Sequence, residues 1–599
     1  MAFYYLLRSS ALILTGLLIY TQTFHFGFVF DDHIFIVANP FIKNFSNIHV
    51  MWHAFPVTRL VGMYSFALNY YFNQLHPEGY HVFNFIVHMV AVGLVWALAD
   101  LLFRITKPFP AEDRFTKEIP FIIALLFLVH PCQTQAVTYV TQRFESMATV
   151  FYLATIYTYL CARLSKDKIR QFILFGLAGV LTLWGLMTKE VMITVPAMIL
   201  ALEWILFPNK NNKNFCIVLV VGGILLGVLF TKMIHAGLGV LFASFPSESH
   251  DGDLLTPAHY LLTQMRVFLT FLRLLVLPIH QNLDYDYPAS IGFLHPPLTL
   301  FGFGVIAGMV FLIIKFRCIA PLISLGLAWI LITFSINLAP RSNVIFEHKL
   351  YLISFGFFLA LMTALTMLVR DRGTLIRILF CIIAVLILVS FNRNKVWANE
   401  LVLWENTIQE SPNKARVNAN LGRIYGSLGQ YDKSIYYLSR AIAIAPDNIT
   451  YENRGIIYSM QGRHDQALED LNKSIAMDPS YFSTYIKRAW VYQVEHRNDA
   501  ALADLRYAIM LEPDFSDGYI ARGLLWMQLG NAQGAIDDFQ HALSIDPLNE
   551  DVLLKQGIVY FSLGKYELAL EDFNKAQSLE PANAQAAQYK AYCLAKMGR

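Results

Sequence analysis

The chain has 599 residues, 56% of them hydrophobic and only 15% charged, with a net charge of +3. A soluble protein carries nearer a quarter charged residues, so a single soluble globule is excluded. So small a positive excess, with no basic stripe in the polar part, argues against nucleic acid as a partner.

The long apolar runs fall between residues 1 and about 392, while residues 393–599 read as a soluble helical protein. Arg8 precedes an apolar run ending at Tyr20, with no small-x-small cleavage site after it, which predicts an uncleaved first transmembrane helix. Crossing the hydrocarbon core takes about 20 apolar residues. Such runs fall near 5–23, 82–104, 118–138, 145–163, 169–187, 190–207, 215–233, 293–314, 319–337, 347–369 and 374–391. A further segment, 259–279, contains Gln264, Arg266 and Arg273, which are costly against lipid. If that segment does not cross and the N-terminus is cytoplasmic, 16 of the 25 Lys and Arg before residue 393 lie on the cytoplasmic side. If it crosses, the split becomes 13 against 12 and the positive-inside bias vanishes. The expectation is therefore 11 spans, an interfacial or re-entrant 259–279, and a C-terminal domain outside the cytoplasm.

Under that topology the uncommon polar residues collect on the outward side. The first outward loop reads FVFDDHIFIVANP, placing Asp31 and Asp32 at the membrane surface. A carboxylate there suits removal of a proton from an attacking hydroxyl; the alternative is a solvated or helix-capping acid. His33 alone completes no metal cage. Arg143 and Glu145, Lys189 and Glu190, and Arg341 with Glu347, His348 and Lys349 stand at outward helix ends, and Arg266 reaches the same side if its helix lies along the surface. One reading is mutual ion pairs that ease burial. The other is a cation cluster holding an anionic leaving group such as a lipid phosphate. His81 and His88, seven residues apart on one helix face, read as packing residues.

From Asn413 the sequence repeats with a 34-residue period. Small residues recur as Gly422, Gly455, Ala489, Gly523, Gly557 and Ala591, and turn residues as Gly429, Gly462, His496, Gly530, Gly564 and Gly598. Closing prolines recur as Pro446, Pro479, Pro513, Pro547 and Pro581. Small residues let paired helices approach, glycine ends the first helix and proline stops the second, which is the tetratricopeptide pattern. The expected domains are a membrane domain over 1–392, a connecting helix over 393–412 with Trp397 and Trp404, and five full repeats plus a terminal helix over 413–599. Stacked repeats form a concave surface suited to a peptide or protein.

The strings FVFDDHIFIVANP, TRLVGMYSFALNYYFNQLHPEGYHVFNFIVH, HPCQTQAVTYVTQRFES, TKE and EHKLY, followed by the repeats, resemble in order the transmembrane-and-tetratricopeptide O-mannosyltransferases and their bacterial relatives. These are membrane glycosyltransferases of the GT-C class. The resemblance implies an all-α fold, with a polytopic GT-C-like domain followed by an α-solenoid. It implies inverting transfer of one sugar, mannose foremost, from a polyprenyl-phosphate carrier to a Ser or Thr hydroxyl of a protein, on the periplasmic or lumenal side. The membrane is the bacterial inner membrane or, in a eukaryote, the endoplasmic reticulum. Asp31 is then the expected base and Asp32 its support. Arg143, Lys189, Arg266, Arg341 and Lys349 are the expected phosphate contacts, with Glu145, Glu190, Glu347 and His348 supporting. No cofactor is implied with certainty, no metal ligands are assigned, and a divalent-metal requirement is left open. Two other functions fit the same pattern: a GT-C transferase with a lipid or glycan acceptor, and a non-enzymatic scaffold assembling envelope machinery through its repeats.

Overall fold

Every regular element among the described residues is helical. The computed structural model describes residues 2–43, 52, 55–109, 115–207, 255–341 and 343–598. The chain forms two compact units, Met1–Pro412 and Asn413–Arg599.

In the first unit the α-helices are α1 (Ala2–Tyr20), α2 (Leu60–Asn73), α3 (Pro77–Thr106), α4 (Ile119–Val129), α5 (Thr134–Thr138), α6 (Arg143–Leu164) and α7 (Lys168–Leu186). They continue as α8 (Val195–Leu206), α9 (Pro257–Val276), α10 (Leu298–Phe316), α11 (Pro321–Phe334), α12 (Leu350–Leu368), α13 (Arg372–Asn394) and α14 (Glu400–Glu410). Proline occupies the first turn of α3, α4, α8, α9 and α11, where its missing N–H costs nothing. Among the described residues, seven helices are long and apolar enough to cross a membrane, or eight if the pair Ile119–Val129 and Pro131–Thr138, bent by 57°, is one span. The chain is a multi-pass membrane protein. Of the other expected spans, 5–23 falls largely in α1 and 215–233 lies outside the described residues. Residues 190–207 divide into a 3-10 turn, Glu190–Thr194, and the 12-residue α8. At 1.5 Å per residue α8 is about 18 Å long, short of the ~30 Å core. Residues 259–279 lie mainly in the continuous helix α9, which is not among the seven.

Helix α12 is the most enclosed of the seven, whereas α7, α10 and α13 turn most of their surface outward. Helices α11 and α12 cross at Gly326 and Gly356. A Cβ on Gly326 would lie 2.5 Å from Gly356 O, and one on Gly356 would lie 2.7 Å from Gly326 O. Only glycine lets the two backbones approach so closely. Trp329, fully buried, donates its indole N–H to Leu352 O at 3.0 Å and ties the same pair together.

The polar side chains of this unit gather at its two ends. At one end Arg8 pairs with Glu118 at 2.6 Å, Arg163 with Glu203 at 2.8 Å, and Arg372 donates to Thr366 O at 2.8 Å. At the other end lie the loop after α1, the turn between α5 and α6, and the segments preceding α8 and α12.

The second unit is made of eleven helices in antiparallel pairs, from Ala415–Ser427 to the unpaired terminal helix Ala584–Lys596. The turn residues Gly429, Gly462, Gly530, Gly564 and Gly598 all have φ between 72° and 76°. His496 takes the same left-handed conformation, φ 60°, where the glycine is replaced.

Candidate active site

After α1 a short 3-10 turn, Thr21–His25, delivers an extended stretch to Phe30, whose φ is +50°. A phenylalanine takes that conformation only when its surroundings impose it. Asp32 Oδ2 accepts from the Val29 N–H at 3.1 Å, and its Oδ1 accepts from the Thr141 N–H at 2.7 Å and from the Thr141 hydroxyl. Asp32 is 1% exposed, and burial pushes its carboxyl up to about 7 against the pull of those donors. It serves the backbone: its donors lie in its own loop and in the 3-10 turn Val140–Gln142. Asp31 is only partly buried. Its N–H donates to the Tyr139 hydroxyl at 3.0 Å, and that hydroxyl also bonds the Asp31 side chain. Tyr139 in turn stacks on Trp397, with centroids 5.3 Å apart and planes at 18°. Two adjacent carboxylates thus differ sharply: one is enclosed and saturated by donors, the other is held at the surface.

The turn Val140–Gln142 also reaches a second cluster. Thr141 binds Asp32, and the next residue, Gln142, accepts from Lys189 Nζ at 3.5 Å. Lys189 pairs with Glu145 Oε2 at 2.8 Å. Burial depresses the Lys189 ammonium, and Glu145 works against that. Glu190 Oε1 receives Arg59 at 3.1 Å and Arg341 at 3.7 Å. Burial works to raise the Glu190 carboxyl, but Arg59, Arg341 and Lys189 hold it down at about 2. Lys189, Glu190, Glu145, Arg341 and Lys349 line one pocket, closed on its apolar side by Val191, Thr333, Ile336 and Leu352. The glycine crossing of α11 and α12 brings Thr333 and Leu352, on those helices, to its wall. Lys349 is 7% exposed, and its ammonium rests 5.3 Å from the Phe346 ring. Among the described residues no carboxylate lies within ion-pair distance of it.

Other expected contacts lie elsewhere. Arg143 is completely buried and donates to Asn84 Oδ1 at 2.6 Å, Ser65 O at 3.2 Å and Tyr80 O at 3.1 Å, with its guanidinium over Phe66 and Phe83. Its donors are used in tying α2 and α3 to α6, so the expectation of a phosphate contact gives way to an internal clamp. Arg266 donates to Pro288 O at 2.9 Å and lies over Tyr287, bracing the loop after α9 rather than entering the pocket. Glu347 turns away from Lys349. It accepts from the Asn282 N–H at 2.5 Å, the Tyr285 hydroxyl at 2.5 Å and Gln281 at 3.0 Å. His348 is buried, with Nδ1 unpartnered among the described residues and its ring against Phe346. Arg59 was not singled out from the sequence, where its only signal is a lone basic residue just ahead of α2. Among the described residues no group of three or more His, Cys, Asp or Glu is gathered as for a metal ion.

Tetratricopeptide-repeat family models match residues 415–480, 488–555 and 551–583. A protein O-mannosyl-transferase of Caenorhabditis elegans is 27% identical over 412 residues, covering 63% of this chain and 54% of the relative. Protein O-mannosyl-transferase Tmtc2 of Drosophila melanogaster is 33% identical over 195 residues, covering 29% of this chain and 19% of the relative. The chain thus spans about half the length of the first and about a fifth of the second. A thermophilic tetratricopeptide-repeat protein of Thermus thermophilus, of known structure, is 22% identical, covering 30% of this chain and 99% of that one, with a TM-score of 0.27. In sequence the chain is similar to protein O-mannosyl-transferases, and tetratricopeptide repeats form its second unit.

Proposed function

We propose that the first unit is a membrane glycosyltransferase of the GT-C type. It moves mannose from a polyprenyl-phosphate donor to a Ser or Thr hydroxyl of a protein, on the periplasmic or lumenal side, and the repeats bind the acceptor. Asp31 takes the proton as the acceptor oxygen attacks the anomeric carbon. The bond from that carbon to the phosphate oxygen breaks, and its electron pair leaves with the lipid phosphate. Inversion follows from the single displacement. Arg59, Lys189, Arg341 and Lys349 offset the charge that grows on the phosphate. Asp32 fixes the loop and the turn Val140–Gln142.

The observation that carries this reading is Lys349: a buried basic side chain with no carboxylate at ion-pair distance among the described residues, in a pocket where Lys189, Arg341 and Lys349 face Glu145 and Glu190, and where Arg59 reaches Glu190 as well. An ammonium out of water without a counter-ion is costly, and an anionic ligand supplies the missing charge. The pocket is one turn of chain from the acid loop, through Thr141 and Gln142. The test supplies labelled polyprenyl-phosphate mannose and acceptor peptides to the purified full-length chain. Transfer to peptide is expected, with Asp31→Asn lowering turnover by at least ~10²-fold in a folded protein. Unchanged turnover in Asp31→Asn refutes the base assignment. Label appearing on lipid alone refutes the protein acceptor.

A further inference from the structure

The left-handed Phe30 stands immediately before Asp31, and something must hold it there. Its N–H donates to Glu400 Oε1 at 3.1 Å. The same carboxylate lies 3.6 Å from His33 Nε2, two residues beyond Asp31. The Phe30 ring meets the fully buried Trp404 edge-on at 5.3 Å. Trp397, just ahead of α14, stacks on Tyr139, the phenol that bonds Asp31. Residues on both sides of Asp31, Phe30 through its backbone N–H and ring and His33 through its imidazole, are therefore held by the short stretch from Trp397 to Trp404.

Glu400 is well placed to hold a fixed geometry. It opens α14, whose first turn is capped by Asn399 accepting from the Val402 N–H at 3.0 Å. The far end of the same helix is also anchored. His280 lies 3.0 Å from Glu410, and Asn282 donates to Ser411 Oγ at 2.7 Å while its own N–H holds Glu347. One eleven-residue helix thus braces the acid loop at its start and the turn leading to Lys349 near its end.

We propose that Glu400 is a positioning residue for Asp31: by accepting the Phe30 N–H it holds the strained backbone that presents the Asp31 carboxylate. The proposal rests on the reading of Asp31 as the base. What it requires of Glu400 is an acceptor oxygen, so glutamine preserves the function and alanine removes it. Releasing Phe30 lets the loop relax toward ordinary dihedrals, and a displacement of about 1 Å at a reacting group costs on the order of 10²-fold in rate.

The experiment uses the full-length protein, as Glu400→Ala and Glu400→Gln, with two measurements. Hydrogen exchange over residues 29–33 should quicken at least tenfold in Glu400→Ala and stay near wild type in Glu400→Gln. With the lipid-linked donor, Glu400→Ala should lose about 10–100-fold in kcat at unchanged donor KM, and Glu400→Gln should stay within a few-fold of wild type. Wild-type exchange and turnover in Glu400→Ala overturn the proposal, as does a glutamine variant as impaired as the alanine one. The exchange measurement needs no substrate, so it stands if the donor is misassigned. Failure of the base assignment shows separately, as an active Asp31→Asn.

Discussion

In the repeats, Arg454, Arg488 and Arg522 each grip an aspartate sixteen residues on, through two hydrogen bonds of 2.7–2.9 Å to Asp470, Asp504 and Asp538. Cation and anion are matched one to one at a fixed spacing, and the pair clamps two helices of a repeat. In the membrane unit the pocket around Lys349 has no such balance. Glu190 is shared between two arginines, Glu145 pairs with Lys189, and Lys349, in the same pocket, has no carboxylate at ion-pair distance among the described residues. Matched pairs hold a fold; an unmatched basic group in a low-dielectric pocket is a cost to it, which the proposed anionic donor would offset.

That contrast makes opposite demands of two substitutions. Lys349→Met removes a buried charge and keeps the side-chain volume, so stability should hold or rise, while turnover with the lipid-linked donor should fall about 10²–10³-fold. Arg488→Met strands the aspartate of a half-buried pair. It should destabilise its repeat by about 1–3 kcal/mol, seen as faster amide exchange in Phe482–Val494 and Asn498–Leu511. If Lys349→Met unfolds the membrane unit while keeping activity per folded molecule, the pocket is structural and the distinction collapses.

The same comparison explains what could be read from sequence. The repeats were legible because their order is local: small residue, turn glycine and closing proline fall within one 34-residue window and need no distant partner. The membrane cations were visible as charges in an apolar chain, but their partners were not. Arg143 looked like Lys189 until Asn84, Ser65 and Tyr80 came into view from two other helices. Glu347 looked like a neighbour of Lys349, yet its carboxylate is held by a loop more than sixty residues away in sequence. Glu400 gave no signal at all, being one acid in an ordinary polar helix. Its importance arises only from a backbone conformation 370 residues earlier.

The ladder of matched pairs itself has a break. At the next step the arginine is replaced by Gln556, and Asp572 is left 7% exposed with Oδ2 unpartnered among the described residues. Burial pushes its carboxyl up to about 7. A raised folded-state pKa means the fold holds the proton more tightly than the unfolded chain does. The contribution is present below about pH 4 and is lost as pH rises through about 7. Hydrogen exchange in Tyr566–Leu579 should therefore quicken from pH 5.5 to pH 8 beyond its intrinsic chemical rate. Gln556→Arg should restore the clamp seen three times before it, slow exchange there at pH 8 by about 1 kcal/mol, and flatten the pH dependence. An unchanged pH profile in the variant would mean that the missing arginine is not what leaves Asp572 unpaired.

The smallest expected effect lies at the turn where the repeat rule is broken without loss of the fold. His496 holds φ 60° where five glycines sit between 72° and 76°. A side chain in the left-handed region costs about 1–2 kcal/mol, partly offset because histidine also restricts the unfolded chain more than glycine does. His496→Gly should therefore stabilise the third repeat by about 0.5–1 kcal/mol, read as slower exchange in Phe482–Val494 with neither turnover nor the other turns affected. Because it touches no charge, it separates backbone strain from ion pairing as sources of repeat stability. A destabilised variant would show that the imidazole contributes more at that turn than its backbone conformation costs.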